Sequence, residues 1–407
     1  MGTSVSLRIG VFEIHAGRNE WYQDYSGLFQ SGDLVEVSRG DRMNGAPARC
    51  VLRKPFSDVL ERLNLLGICE QTVKIEFGKL AEEHSFLTEG DVEAQEREQL
   101  RFDVFRSLLA AIDASSVDDS RIYGTYEGYA GLFEQGISPA LSLSLTHEQA
   151  ESAGEILTYM GGYSVLWLLA QNESNLQHDV IWDFADHVAA GYSTTEEHVQ
   201  PVRREDRFLI VAEGSSDSAI LEKAFRLRRP AVYDFFYFID AERERFPFAG
   251  HGGLKNFCRG LITISVLNQT VILFDNDAAG LSSFNETAEM ALPTNIRVLR
   301  LPDLPEGALF ATIGPDGESE GEINGRAAAI ETYLDLSIGP SPRIRWKQFE
   351  EVIGQYHGEL ESKQMYAQAF YELRDPGNYD FRKLELVLNT ITDTCIGIAR
   401  ARAGAAG

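Results

Sequence analysis

Cysteine is scarce in this chain. The four in 407 residues, Cys50, Cys69, Cys258 and Cys395, stand far apart, with no Cys-x-x-Cys pair. That excludes a zinc knuckle and gives no disulfide framework. A reducing cytoplasm fits such usage. Long hydrophobic runs are lacking too. The most apolar window, residues 156–170, is about one helix long and contains Gly161, Gly162, Tyr159 and Tyr163. It falls short of the ~20 residues a membrane span needs, so it reads as a buried helix and no membrane association is expected. The first residues do not pair a basic region with an apolar stretch, and no signal peptide is expected. A Gly-x-x-x-x-Gly-Lys-Ser/Thr phosphate loop is absent, and with it an ATP-driven motor. Cations are in deficit: 37 Lys+Arg face 62 Asp+Glu, for a net charge of −25. A protein that coats nucleic acid by bulk positive charge is thereby excluded.

What is present is an ordinary globular composition, 44% hydrophobic and 24% charged, long enough for two or three domains. The charge is uneven. Residues 1–200 hold 14 Lys+Arg against 32 Asp+Glu, and residues 201–407 hold 23 against 30. Ser4 to Ile14 alternates as a half-buried strand does. Helical spacing follows from Asp58, with Ser57 as its cap and Gly67 as its stop, and again over Gln99 to Ile112. Residues 147–190 read as two more helices joined near Asn172 to Asn175. Residues 1–200 are therefore expected to form an α-rich α+β domain, an adaptor without a chemical motif. A charged linker, Ser193 to Arg207, leads into α/β grammar. Strands are expected at Phe208–Ala212, Val232–Ile239, Val271–Phe274 and Ile296–Leu301. Helices are expected at Asp217–Arg226, Gly280–Met290 and Ala327–Leu334. This alternation predicts a mostly parallel sheet, Rossmann-like in its winding, over residues 201–340. Residues 341–407 are expected to be a helical extension, broken at Asp375 to Asn378.

Two phrases carry chemistry. In Phe208-Leu-Ile-Val-Ala-Glu213-Gly214-Ser-Ser-Asp217, a buried strand ends in a glutamate, a glycine turns the chain, and an aspartate opens a helix. In Val271-Ile-Leu-Phe-Asp275-Asn-Asp277-Ala-Ala-Gly280, a second buried strand ends in two carboxylates. Ligands of an open parallel sheet bind at the carboxyl ends of its strands, so both phrases bring their acids to one edge. Carboxylates gathered so closely need a counter-charge, which a hard divalent cation supplies. Either phrase alone is a common surface turn. Their order, with a βαβ-sized interval between them, is what singles them out.

This arrangement resembles the Toprim domain of topoisomerases, bacterial primases, OLD-family nucleases and small maturation ribonucleases. That pattern has a glutamate after the first strand and Asp-x-Asp after the third, and Glu213, Asp275 and Asp277 match it. The Glu-Gly-x-x-Asp form, with Asp217, is most similar to the OLD-type variant. The resemblance covers residues 206–335 and implies a Mg²⁺- or Mn²⁺-dependent phosphodiesterase with two ions. A topoisomerase would need a separate domain for its cleavage tyrosine, and a primase usually carries a zinc module; neither has room or cysteines here. The N-terminal part, with Met1-Gly-Thr-Ser-Val and Ser26-Gly-Leu-Phe-Gln30, resembles the HEPN/Toprim-associated N-terminal domain. That module is joined to RNase-type HEPN or Toprim effectors in bacterial conflict systems.

Weaker candidates complete the set. Asp240 ends the second expected strand and either joins the acidic edge or caps a turn. Glu331, in Ile330-Glu-Thr-Tyr-Leu334, is either a late acidic ligand or part of a solvated helix face. Lys363 is either a stabiliser of transition-state charge, as the OLD resemblance implies, or a surface lysine. Arg203, Arg204, Arg207, Arg226, Arg228 and Arg229 flank the first βα unit and suit either phosphate contacts or salt bridges to the acidic N-terminal domain. Arg245 and His251 match the loose Arg-x(4–6)-His spacing of HEPN ribonucleases, but fall in a Pro/Gly loop and read as a chance match. His15, His84 and His357 show no ligand spacing. The expected function is a metal-dependent nuclease of DNA or RNA, an effector of a bacterial antiphage or conflict system. Its expected partners are the nucleic acid, a regulatory protein such as an ATPase, and a second copy of itself. The alternative is a non-catalytic docking subunit that works only with a partner.

Overall fold

The computed structural model describes residues 3–10, 12–18, 22–37, 49–85, 100–117, 126–137, 140–143, 145–239, 250–350 and 354–406. The chain divides into two compact units. One is Met1–Arg203 together with Ala399–Gly407, and the other is Arg204–Ile398.

The first unit is built on an antiparallel sheet. Its strands are β1 (Ser4–Ile9), β2 (Phe12–Arg18), β3 (Leu34–Glu36), β4 (Cys50–Pro55) and β5 (Asp179–Asp183), in the order β2-β1-β5-β4-β3. Val5, Leu7 and Ile9 alternate inward along β1, as a sheet with one face on a core requires. Gly10 turns into β2 at φ +57°, so Ser4 to Ile14 is two strands rather than one. The helices are α1 (Phe56–Leu65), α2 (Glu70–Ser85), α3 (Phe102–Ala110), α4 (Tyr126–Gly131), α5 (His147–Tyr159), α6 (Gly162–Leu169), α7 (Ala185–Ala189) and α8 (Thr195–His198). α1 begins at Phe56, with no side-chain cap from Ser57. Residues 147–190 are not only helical: β5 lies within them and forms the middle of the sheet. Its Val180, Ile181 and Trp182 are buried between flanking aspartates. β-branched and aromatic side chains favour such a pleated surface over a helix.

The second unit contains the expected parallel sheet. β6 (Phe208–Ala212), β7 (Phe236–Phe238), β8 (Gln269–Phe274) and β10 (Ile296–Arg300) lie in the order β10-β8-β6-β7, every pairing parallel. All six residues of β8 are buried, the signature of a strand covered on both faces. β9 (Asn276–Asp277) follows β8 directly. The covering helices are α9 (Ser215–Arg228), α10 (Gly250–Thr263) and α11 (Ala278–Ala288). Val211, Leu254, Cys258, Ile272 and Phe274 pack together between sheet and helix. β7 is shorter than the expected 232–239, because Tyr233–Phe235 form a 3-10 turn before it.

Beyond β10 the structure departs from the sequence reading. β11 (Phe310–Gly314) and β12 (Gly317–Gly321) make a hairpin, and β13 (Ala327–Ala328) pairs with β9. Residues 327–334 form that bridge and a 3-10 turn, Ile330–Tyr333, instead of a helix. β14 (Ile344–Glu350) and β15 (Gln355–Leu360) form a second hairpin where helix was expected, giving a sheet in the order β12-β11-β14-β15. Its turn carries Gly354 at φ +68°. The helical C-terminal segment then begins, with α12 (Lys363–Glu372) and α13 (Arg382–Ala406), broken by a 3-10 turn at Pro376–Asn378.

Candidate metal centre

The strand order decides what meets at the sheet edge. β6 and β8 are adjacent central strands, and both run in the same direction. Their carboxyl ends therefore deliver Glu213 and Asp275 side by side. The contact is direct: Glu213 Oε1 accepts the backbone N–H of Asp275 at 3.2 Å. Asp277 comes two residues further on, in the bridge with β13.

Two of the acids also start helices. Asp217 Oδ2 accepts the N–H of Gly214 at 2.9 Å, and Ser216 Oγ donates to its other oxygen at 3.1 Å. Asp277 Oδ1 accepts the N–H of Gly280 at 2.7 Å, capping α11. A carboxylate at a helix N-terminus satisfies orphan donors and meets the positive end of the dipole. The spacing Glu-Gly-x-x-Asp is thus a capping device and an acid-gathering device at once. Gly280 permits the close approach. Any Cβ there would collide with the Asp275 carbonyl oxygen and lie 3.0 Å from Glu213 Oε1.

The electrostatics mark the edge as acid-crowded. Burial pushes Glu213 up to about 8, helped by Asp277 and Asp217 and opposed by the Asp275 N–H. Asp217 rises to about 6 through burial and Glu331, against the Gly214 N–H, Ser216 and Lys363. Asp275 is held well above the usual carboxylate range by burial, and then by Asp217, Glu213, Asp277 and Glu331. Five carboxyl groups therefore share one field. Glu331 is 7% exposed, so it is no solvated helix face; it sits in the 3-10 turn after β13.

Two basic side chains reach the same edge from the β14–β15 hairpin and the start of α12. Lys363 Nζ pairs with Glu359 at 2.5 Å and draws the Asp217 carboxyl downward. His357 Nδ1 stands 3.9 Å from Asp277 Oδ2. Sequence reasoning missed His357, because its segment read as helix and a lone histidine carries no spacing. It also missed Asn276, whose fully buried side chain donates to Asp303 at 3.0 Å and accepts from Gly325 at 2.8 Å and from Arg300. Asn276 pins the short segment that holds Asp275 and Asp277 apart.

Other candidates fall elsewhere. Asp240 and Arg245 lie outside the described residues. His251 lies in the first turn of α10 rather than in a loop, and hydrogen-bonds Ser283 of α11 at 2.9 Å. Arg228 and Arg229 are bound to Glu385 of α13 at 2.5 and 2.6 Å, and Arg226 to Glu222 at 2.7 Å. Those three arginines tie down helices of their own unit. His15 packs against Tyr25 with its ring centroid 5.8 Å away, and burial lowers its pKa. The His84 side chain is outside the described residues.

Among the described residues, no three Asp, Glu, His or Cys side chains stand as a ready-made ligand array. Asp217 and Asp277 each accept a backbone N–H on one carboxylate oxygen, and each keeps its other oxygen. The donor set nonetheless fits a hard divalent cation. It is all-oxygen, in excess of its basic neighbours, and electrostatically uncomfortable without a counter-charge.

Fold and site define the second unit as a parallel α/β domain with acids collected at the carboxyl ends of its central strands. The first unit supplies the family. Residues 1–206 match the model of the HEPN/Toprim N-terminal domain 1, and the chain belongs to that family. Its name ties this N-terminal module to HEPN and Toprim domains, and so to nuclease-associated proteins. No curated protein matches the chain, and no solved structure does.

Proposed function

We propose that the second unit is a Toprim-type, metal-dependent phosphodiesterase acting on nucleic acid, with OLD-like acids, and that it serves as an effector in a bacterial antiphage or conflict system. The observation that carries this reading is the adjacency of β6 and β8, which brings Glu213 against Asp275 with Asp277 and Asp217 in the same field. Glu213, Asp217, Asp275 and Asp277, with Glu331 behind them, would hold one or two Mg²⁺ or Mn²⁺ ions. Bound there, the metal supplies Lewis acidity and a water nucleophile at neutral pH. The chain's own groups set the stage. Gly280 keeps the approach open, Asn276 fixes the spacing of the two aspartates, and Lys363 and His357 place positive or proton-bearing groups at the rim.

The capped state of Asp217 and Asp277 favours one variant of this reading, in which a partner protein, an ATPase among the candidates, completes the ligand array. The test is cleavage of labelled DNAs, RNAs and total tRNA with Mn²⁺ or Mg²⁺, by the chain alone and with the products of neighbouring genes. Metal-dependent cleavage that Asp275→Asn abolishes upholds the reading. Titration calorimetry that finds no Mn²⁺ binding, with no cleavage under any condition, overturns it.

A further inference from the structure

One guanidinium beside the acidic edge is short of partners. Arg326 and Ala327 both bridge to Asp277 through the backbone. The Arg326 Nε is buried and has no hydrogen-bond partner among the described residues. Its guanidinium lies over the Trp346 ring, 4.6 Å from the centroid. A buried donor without an acceptor is costly, and a planar guanidinium is shaped to bind phosphate oxygens. The contact with the indole holds the Arg326 guanidinium in place beside Asp277, with its Nε unpaired among the described residues.

Trp346 begins a longer series. It lies opposite Gly358 in the β14–β15 ribbon. A Cβ at Gly358 would come within 2.7 Å of the Trp346 ring, so the glycine is what lets the indole lie across β15. Two residues from Gly358 on the same strand, and so on the same face, stands Tyr356. Its cross-strand partner is Phe349. Their rings meet edge to face at 5.1 Å, and they are 42% and 46% exposed. One face of the ribbon thus runs from Arg326, beside Asp277, over Trp346 to two exposed aromatic rings. The opposite face carries Arg345 and Lys347, which with Lys363, Glu359 and Glu361 line a groove of about 510 Å³. Its cations pair with those two glutamates.

We propose that the β14–β15 ribbon is a binding track for single-stranded nucleic acid. Arg326, positioned by Trp346, takes a backbone phosphate next to the acidic edge, and Tyr356 and Phe349 take unpaired bases. The direction of the track, toward the acids, rests on the nuclease reading above. The chemistry favours single strands because stacking on a side chain needs the free π-face of a base, which a duplex keeps covered. On the opposite face the three cations of the groove exceed its two glutamates by one charge, so stacking rather than charge carries the track in a chain whose net charge is −25.

The experiment is fluorescence anisotropy on the full-length chain with labelled oligo(dT), oligo(U) and a duplex hairpin. Ca²⁺ replaces Mg²⁺, and the series is repeated in EDTA. Single strands are expected to bind about tenfold or more tightly than the duplex. Phe349→Ala combined with Tyr356→Ala is expected to weaken single-strand binding about tenfold or more and leave the duplex unchanged. Both rings are exposed, so the fold should survive, and circular dichroism checks it. Arg326→Gln is expected to cost about tenfold for every sequence, as loss of a phosphate contact does. Preference for oligo(dT) or for oligo(U) supports the track either way, and oligo(dU) against oligo(U) then separates the sugar from the base methyl group. Equal affinity for duplex and single strand, or an unchanged affinity in the doubly substituted chain, overturns it. Cleavage is not read in this assay. A protein that binds single strands through these residues but never cuts them keeps the track and loses the nuclease reading. A metal-dependent nuclease indifferent to all three substitutions does the reverse.

Discussion

At the scale of single residues, Asp275 is the sharpest test. It is the acid most crowded by others, pushed upward by burial and by four neighbouring carboxylates. Replacing it with asparagine removes an acid that its surroundings disfavour in the charged form, while keeping the volume. Asp275→Asn is therefore expected to abolish metal-dependent cleavage while the metal-free melting temperature stays level or rises. Differential scanning calorimetry in EDTA reads the second half, and a marked fall in melting temperature would assign Asp275 a structural role. A second residue-scale prediction belongs to the first unit. His198 is buried against Phe184 and Trp182, with the Tyr22 ring close by. Ser193 Oγ bridges it to His187, at 2.9 Å on each side. Burial and His187 lower its pKa from 6.5 to about 4, against the pull of Glu197 and Asp24. The fold thus holds a neutral ring that the unfolded chain protonates more readily. Above pH ~6.5 this site adds no pH dependence, and stability is lost as pH falls from there toward 4. The melting temperature of His198→Gln is expected to fall less over that range than that of the natural protein. Parallel curves would show that other groups dominate.

At the scale of elements, the lesson lies in which segments announced themselves. Phe208–Ala212 and Val271–Phe274 were legible because a strand buried on both faces must be apolar throughout, and a carboxylate after such a run has few places to go. Glu213, Asp217, Asp275 and Asp277 followed from them. The β14–β15 hairpin was not legible. Its Lys, Gln and Glu residues are strong helix formers, and its pairing with β11 depends on partners some 30 residues away that local pattern cannot see. His357 was lost with it. β5 was hidden for a similar reason: five residues are too few to separate a period of 2 from one of 3.6. The junction between β8 and α11 carries its own prediction. Gly280→Ala places a methyl group against the Asp275 carbonyl oxygen and Glu213. Relief requires α11 to move off the sheet edge. Urea unfolding is expected to show a loss of about 1–3 kcal/mol, and cleavage should fall with it. An unchanged stability would mean that the helix start can shift freely, and that the glycine is not what sets the approach.

At the scale of the whole molecule, the net charge of −25 opposes the approach of a polyanion, while the ribbon offers only a few cations. Adding salt weakens the ribbon contacts but also screens the repulsion. The affinity of the chain for oligo(dT) is therefore expected to change less than about tenfold between 50 and 200 mM salt, whereas proteins with 6–10 phosphate contacts lose about 10³–10⁵. Anisotropy across that salt range decides it, and a steep loss would show that direct phosphate contacts dominate. A shallow response also leaves room for a partner that brings positive surface. The last helix adds something of a different kind. Glu385 near the start of α13 holds Arg228 and Arg229 at the end of α9, and Lys383 reaches the carbonyl of Thr332 at 2.7 Å beside Glu331. On the ribosome, α9 and its acids emerge long before α13 is made. At a synthesis rate of about 5–20 residues per second, the interval is roughly ten to thirty seconds. Through that interval the acidic edge lacks the clasp that fixes its helices. On the reading proposed above, the acids at the carboxyl ends of β6 and β8 are gathered before the helix that braces them exists, and the site is fastened only once α13 has been made.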